Sequence, residues 1–445
     1  MVVKFTLGLE PITVGGWFTL AAWVWRKFRD TTFMEGAGNP QGGNRMGKNN
    51  NHNKNNKILP NPFSPQYPAD PKYFADRSEH LDYFTKAIAN SARIRPPAPS
   101  NFMILGDWGM GKTSLLYKMK EVVLRELEGK INAFCFHFSL DPSCCRNWDD
   151  FSLAFLTRLK KNYETTAGLK EKLMRELSKW KISFSVLPVS VQREASPEKL
   201  SLVDSLEDLW KKHLVPSKVD VCILFMDDVH YFLLAGQPDA YFTIRNSFQE
   251  LARRECNFSL VMTGPKLLFK NVADFAEPFT RFFHPIYLEA FSLEGTREAI
   301  NKRISASRLE LEFSEDVVSA VHEKSKGHPY FVMFIVYELV NMVGTGKCIT
   351  EKEFNKSWPK IVRLLEKNVF VNRLGEVSER EKEVLLKMAV LKREQVSPSD
   401  IKGVSGVTIF FSRLERKGFL LKKERGLYEL FHPLFRDYLK KLAKG

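Results

Sequence analysis

The chain has 445 residues, 44% hydrophobic and 27% charged, close to the averages for proteins that fold in water. Its length excludes a disulfide-stapled mini-protein, and its composition excludes wholesale disorder and a polytopic membrane protein; at roughly 150 residues each, about three domains are expected. The net charge of +15 collects at the ends, with +5 on residues 1–60, +6 on residues 376–445 and only +4 between them.

Residues 1–29 form a hydrophobic N-terminal segment in which positions 11–25 (PITVGGWFTLAAWVW) are uncharged and mostly apolar, with Arg26, Lys27 and Arg29 directly behind. A spanning helix needs about 20 such residues, so this one is short. Trp17, Trp23 and Trp25 suit a membrane interface, and the basic cluster would hold the following domain on the cytoplasmic face. Two readings stay open, a membrane anchor and an amphipathic segment that docks on the body of the chain or on a partner. Residues 30–60, where Gly and Asn dominate, read as a flexible linker reaching about 30 Å. Six cysteines without any CxxC point to a reducing, cytoplasmic compartment. The adjacent Cys144 and Cys145 are either buried thiols or a redox pair.

Residues 61–292 carry the strongest motif. The apolar run Phe102 to Leu105 predicts a buried strand, the loop Gly106-Asp107-Trp108-Gly109-Met110-Gly111-Lys112-Thr113-Ser114 satisfies GxxxxGK[ST], and helical periodicity follows at once. Glycines there let backbone amides converge on phosphate oxygens, Lys112 would reach the β and γ phosphates, and the Thr113 hydroxyl would ligate Mg2+. A second apolar run, Val221 to Met226, ends in Asp227 and Asp228. Asp227 would hold the metal, and Asp228 would act as general base on the attacking water. A third, Phe258 to Met262, ends at Thr263, placed either to sense the γ phosphate or to cap the Gly264-Pro265 turn. Arg281 precedes a final strand, His284 to Leu288, where a guanidinium could act as an arginine finger in its own or a neighbouring subunit of a homo-oligomer. No NKxD box is present, so ATP is expected rather than GTP. Between the second and third strands, helices are predicted at 148–163, 167–179 and 200–213, around the alternating stretch 181–191.

Residues 293–375 turn helical throughout and predict a small lid. Residues 376–445 predict a winged helix: helices at 378–391, 397–402 and 407–417, a hairpin turning near Arg425 and Gly426, and a closing helix. Arg413, Arg416, Lys417, Lys422, Lys423 and Arg425 carry the charge that double-stranded DNA requires. Phe410 and Phe411 are adjacent, so one helix face cannot easily bury both, and a protein-contacting surface is the alternative.

The succession FADRSEHLDYF, GDWGMGKTSLL, ILFMDDVHYF, LVMTGP, RFFHPIYLEAF and GHPYFVMFIVYEL resembles the AAA+ and STAND branch of P-loop ATPases, in particular archaeal ATPases and origin-recognition initiators. The resemblance implies an α/β fold, with a parallel-sheet P-loop core, a helical lid and a C-terminal winged helix. It implies an ATPase whose nucleotide state moves the lid. It also places Phe74 and Arg77 near the adenine and packs Pro329, from Gly327-His328-Pro329, on the adenosine. Asp-Asp after the strand and Gly-x-Pro in the lid look more like STAND proteins than initiators, which usually carry Asp-Glu and a lid arginine.

Overall fold

The computed structural model describes residues 61–162, 201–307 and 309–444. The predicted anchor at 11–25, the linker at 30–60, the helix at 167–179 and the stretch 181–191 lie outside these residues. Among the described residues no helix is long and apolar enough to cross a membrane.

Five strands, β1 (Phe102–Leu105), β2 (Ala133–Ser139), β3 (Val221–Asp227), β4 (Phe258–Gly264) and β5 (His284–Tyr287), form a parallel sheet in the order β2-β3-β4-β1-β5. The apolar runs of β1, β3 and β4 are buried along their whole length, as expected of parallel strands covered on both faces. Successive residues alternate between those faces. Phe102, Ile104, Ile223 and Phe225 meet Phe84 and Ile88 of α1 (Ser78–Arg93) and Leu115 and Met119 of α2 (Lys112–Arg125). Met103, Leu105, Leu224 and Met262 meet α3 (Trp148–Asn162), α4 (Leu202–Leu209), α5 (Asp239–Arg253) and α6 (Leu268–Thr280).

The lid comprises α7 (Leu293–Ser307), α8 (Glu315–Ser325), α9 (Pro329–Val343) and α10 (Glu351–Leu365). It is not helical throughout, because β6 (Leu311–Phe313) and β7 (Lys347–Ile349) pair in parallel. Leu311 and Ile349 are buried in the lid core, so this short alternating pattern is satisfied as a strand pair joined through α8 and α9.

The C-terminal region contains α11 (Glu379–Val390), α12 (Val407–Arg416), an antiparallel hairpin β8 (Leu420–Glu424) and β9 (Leu427–Leu430), and α13 (Pro433–Leu442). Ser378 and Glu381 form a reciprocal capping box at the start of α11. The helix expected at 397–402 is instead one 3-10 turn, Pro398–Asp400. Gly403 and Gly406, both at positive φ, leave no room for a longer element. Phe370 meets Phe331 of α9 and Phe435 of α13 edge to face in one hydrophobic core, so the lid and the C-terminal elements fold against each other.

Candidate nucleotide site

The glycine loop joins β1 to α2, whose first residue is Lys112. The Lys112 Nζ donates to the carbonyls of Gly106 (2.9 Å) and Asp107 (3.1 Å), which hold the ammonium at the mouth of the loop. Burial lowers the Lys112 pKa, opposed by Asp228, Asp227 and Asp107. The free amides of the first helical turn add a local positive field, so the loop is built for a polyanion.

The sheet order brings the remaining groups to the same edge. Because β4 lies between β1 and β3, Thr263 stands between the glycine loop and Asp227. The Thr113 Oγ1 donates to Asp227 Oδ2 at 2.7 Å, the Thr263 hydroxyl donates to Asp227 Oδ1, and the backbone N–H of Asp228 donates to Thr263 Oγ1 at 2.9 Å. Thr263 is fully buried and its hydroxyl is committed to the two aspartates, so it fixes them and does not line the cavity. Asp228 adopts φ 61°, a left-handed conformation costly for a non-glycine residue. That turn aims its carboxylate into the cavity beside Lys112. Burial and neighbouring Asp227 raise the Asp228 pKa to about 6, against the pull of Lys112. His230, with Nδ1 3.8 Å from the Asp228 carboxylate, is lowered to about 4 by burial and stays neutral.

Mg2+ fits this donor set. A hydroxyl and a carboxylate 2.7 Å apart are hard oxygen ligands. Among the described residues no group of three or more His, Cys, Asp or Glu could hold a metal alone, and Mg2+ commonly needs few protein ligands when substrate phosphates and water supply the rest.

A cavity of about 560 Å³ extends from the loop between the core and the lid. Phe74, Arg77 and Pro329 all line it, as do Trp108, Gly109, Gly111, Lys112, Thr113 and Ser114, whereas Gly106, Asp107 and Met110 do not. Arg77 is tied to protein: its Nη2 donates to Met110 O (2.9 Å) and Glu289 O (3.3 Å), with Phe291 5.2 Å from the guanidinium. Ser64 to Ala69 close one wall, anchored where the Ala69 N–H donates to Ser114 Oγ (2.9 Å). Arg281 is exposed and ion-paired with Glu277 at 2.6 Å, and does not line the cavity of its own chain.

Sequence reasoning missed the contacts that seat the lid and the C-terminal region on the loop. Gly327 has φ 68°, and a Cβ there would lie 2.1 Å from the Phe291 carbonyl, so only glycine fits. The following His328 donates Nε2–H to the Trp108 carbonyl at 3.1 Å, and Tyr330 packs on the Trp108 ring at 4.4 Å. The Arg373 guanidinium lies 4.9 Å from Trp108 and 4.8 Å from both Phe419 and Phe431, and donates to the carbonyls of Lys417 and Gly418. His432 accepts the Leu434 N–H on Nδ1 and therefore donates Nε2–H to Ser325 O at 2.9 Å. A tryptophan inside a glycine loop was the available signal, since a large apolar ring there needs a partner.

Of the basic residues assigned to DNA, Arg413, Arg416, Lys422, Lys423 and Arg425 are exposed on α12 and the hairpin. Lys417 is exposed as well, and its ammonium also donates to Glu376 O (3.0 Å) and pairs with buried Glu381 (2.8 Å), which ties it to the fold. Lys423 pairs with Glu429 at 3.2 Å. Phe411 is buried, Phe410 is half-buried and Ile409 is 58% exposed.

No family model and no curated protein matches the sequence. Solved structures do. The Walker-type ATPase PABY2304 of Pyrococcus abyssi is 15% identical, with 82% of this chain and 96% of that one covered at a TM-score of 0.52. The Aeropyrum pernix ORC2 protein, solved as ADPNP–ADP complexes, is 12% identical, with 87% and 98% covered at 0.56. The chain shares the fold of these two proteins.

Proposed function

We propose that the protein is an ATP-binding, ATP-hydrolysing switch of the AAA+/STAND type that acts on double-stranded DNA through residues 376–445, read as a winged helix. The observation that carries the nucleotide chemistry is the hydrogen-bonded set Thr113, Asp227, Thr263 and Asp228, of which Thr113 and Asp228 line one cavity together with Lys112. Adenine is favoured by the similar ORC2 protein's ADPNP–ADP complexes and by the absence of an NKxD box.

In this reading the loop amides and Lys112 bind and orient the triphosphate, and Asp227 with Thr113 would hold Mg2+, which supplies charge neutralisation on the phosphates. Asp228 accepts a proton from the attacking water as its oxygen bonds to the γ phosphorus and the bond to the ADP oxygen breaks. Arg281, exposed on the surface, would serve a neighbouring subunit.

The test is ATP hydrolysis by the full-length protein, with and without duplex DNA, at two salt concentrations. Salt-sensitive stimulation by DNA is the expected result, and Lys112→Ala abolishes turnover. Turnover indifferent to DNA refutes the DNA assignment. A second reading, in which this region contacts a protein, is favoured by exposed Ile409 beside half-buried Phe410 on the same helix. Charge reversal at Arg413, Arg416 and Arg425 separates the two, since it removes DNA binding under the first and spares function under the second.

A further inference from the structure

The lid arginine Arg303 is 4% exposed, yet its guanidinium has no hydrogen-bond or ion-pair partner among the described residues. Its guanidinium faces the Tyr73 ring at 5.2 Å, and the Asp70 carboxylate acts on it electrostatically without forming an ion pair. Neighbouring charges are satisfied: Lys302 donates to Phe74 O at 2.9 Å and pairs with Glu298 at 2.6 Å, and Arg77 has two carbonyl acceptors. A buried guanidinium carries five N–H donors and no acceptor, and leaving them unmatched is expensive. Arg303 lines the nucleotide cavity, so its donors have an outlet.

Position along α7 indicates which part of a ligand they meet. Gly295 abuts Asp76, whose neighbour Arg77 lies against Gly111 and Met110 of the glycine loop, at the phosphate end rather than the adenine end where the resemblance puts it. Ala299 and Arg303 follow at one-turn intervals on the cavity side, which puts Arg303 about 12 Å further along the helix axis from that end. The phosphate end is fixed by Lys112 and Thr113, so the far end receives the nucleoside.

We propose that Arg303 is a nucleoside-reading residue, whose guanidinium donates to acceptor atoms of the base or ribose of the bound nucleotide. This rests on the nucleotide-binding reading above and adds to it a determinant in the lid. A lid residue that bonds the nucleoside makes closure sensitive to whether a whole nucleotide, and not phosphate alone, is bound.

The test is calorimetric titration of the full-length protein and its Arg303→Met variant, which keeps length and burial, with ADP and with inorganic tripolyphosphate. The expected result is ADP affinity weakened about 10- to 100-fold, the range for a hydrogen bond from a charged group, with tripolyphosphate affinity unchanged. Arg303→Lys, which keeps the charge and loses the fork, should show the same selective pattern to a smaller degree, and it serves if the Met variant does not fold. Unchanged ADP affinity in both variants overturns the proposal while leaving the nucleotide reading intact. Equal weakening of ADP and tripolyphosphate also overturns it, because that reports a collapsed pocket. Wild-type protein that binds neither ligand overturns the nucleotide reading and this inference with it.

Discussion

Replacing Arg373 by Met tests the link between the glycine loop and the C-terminal region. The guanidinium is 7% exposed and centred among Trp108, Phe419 and Phe431, each within 4.9 Å. Desolvated cation–π contacts contribute roughly 2 kcal/mol. Its two bonds to the carbonyls of Lys417 and Gly418, both 3.3 Å, lie at the long end of the range and add roughly 0.5–1 kcal/mol each. Against this stands the cost of burying a charge whose Nε has no partner, which Met would relieve by roughly 1 kcal/mol. The net loss is about 2–3 kcal/mol, borne by the docking of the C-terminal region rather than by the sheet. Two readouts follow. Urea unfolding by circular dichroism should show a lower midpoint or a separated early transition, and ADP should dissociate faster because Trp108 belongs to the phosphate loop. A variant within 0.5 kcal/mol of wild type, with unchanged ADP release, would refute the argument that Arg373 fastens these parts together.

Hydrolysis should lose activity as pH falls through about 6, because Asp228 takes up a proton there and a protonated carboxyl cannot accept another; a flat rate profile between pH 5 and 7.5 contradicts its role as base. Asp228→Asn should lower kcat by at least about 100-fold with ADP affinity retained. His432 and His328 have folded pKa values lowered by burial to about 4 and about 3 from 6.5, so the unfolded chain binds more protons below pH 6.5. Their contribution is complete above 6.5 and is lost as pH falls toward 4. Stability should therefore drop by roughly 2.5 kcal/mol per pH unit near pH 5, read as a falling Tm, and His432→Gln should roughly halve the dependence. A Tm constant from pH 7.5 to 5 would sink this.

Much of the core was legible because each element announces itself locally. Continuous apolar runs before Gly106 and Asp227 fit strands buried on both faces, and GxxxxGK[ST] decides between strand and helix because it needs a strand on one side and a helix on the other. The ring and carbonyl contacts of Arg373 were not legible, since they join residues 265 or more positions from Trp108 and 44 or more from Lys417 and Gly418. Thr263 was ambiguous for a related reason. A threonine at a strand end fits a sensor or a cap equally well, and only the order β3-β4-β1 shows that its hydroxyl must meet the aspartate on the adjacent strand. Lys417 looked like its neighbours Arg413 and Arg416 until Glu381, 36 residues earlier, proved to be its buried partner.

These long-range contacts also constrain how a nucleotide could act at a distance. The loop residue Trp108 is gripped by the lid through His328 and Tyr330 and by the segment before α11 through Arg373, while His432 binds the last turn of α8. A ligand that moves the Trp108 backbone by a fraction of an ångström must therefore break or re-form bonds in both the lid and the C-terminal region, because packed rings and directed hydrogen bonds tolerate little continuous deformation. Two arrangements, one gripped and one released, are the natural outcome, and any ligand that favours one must bind it more tightly. By reciprocity, DNA or protein that prefers the released C-terminal region must change ADP affinity by the same factor that ADP changes its own.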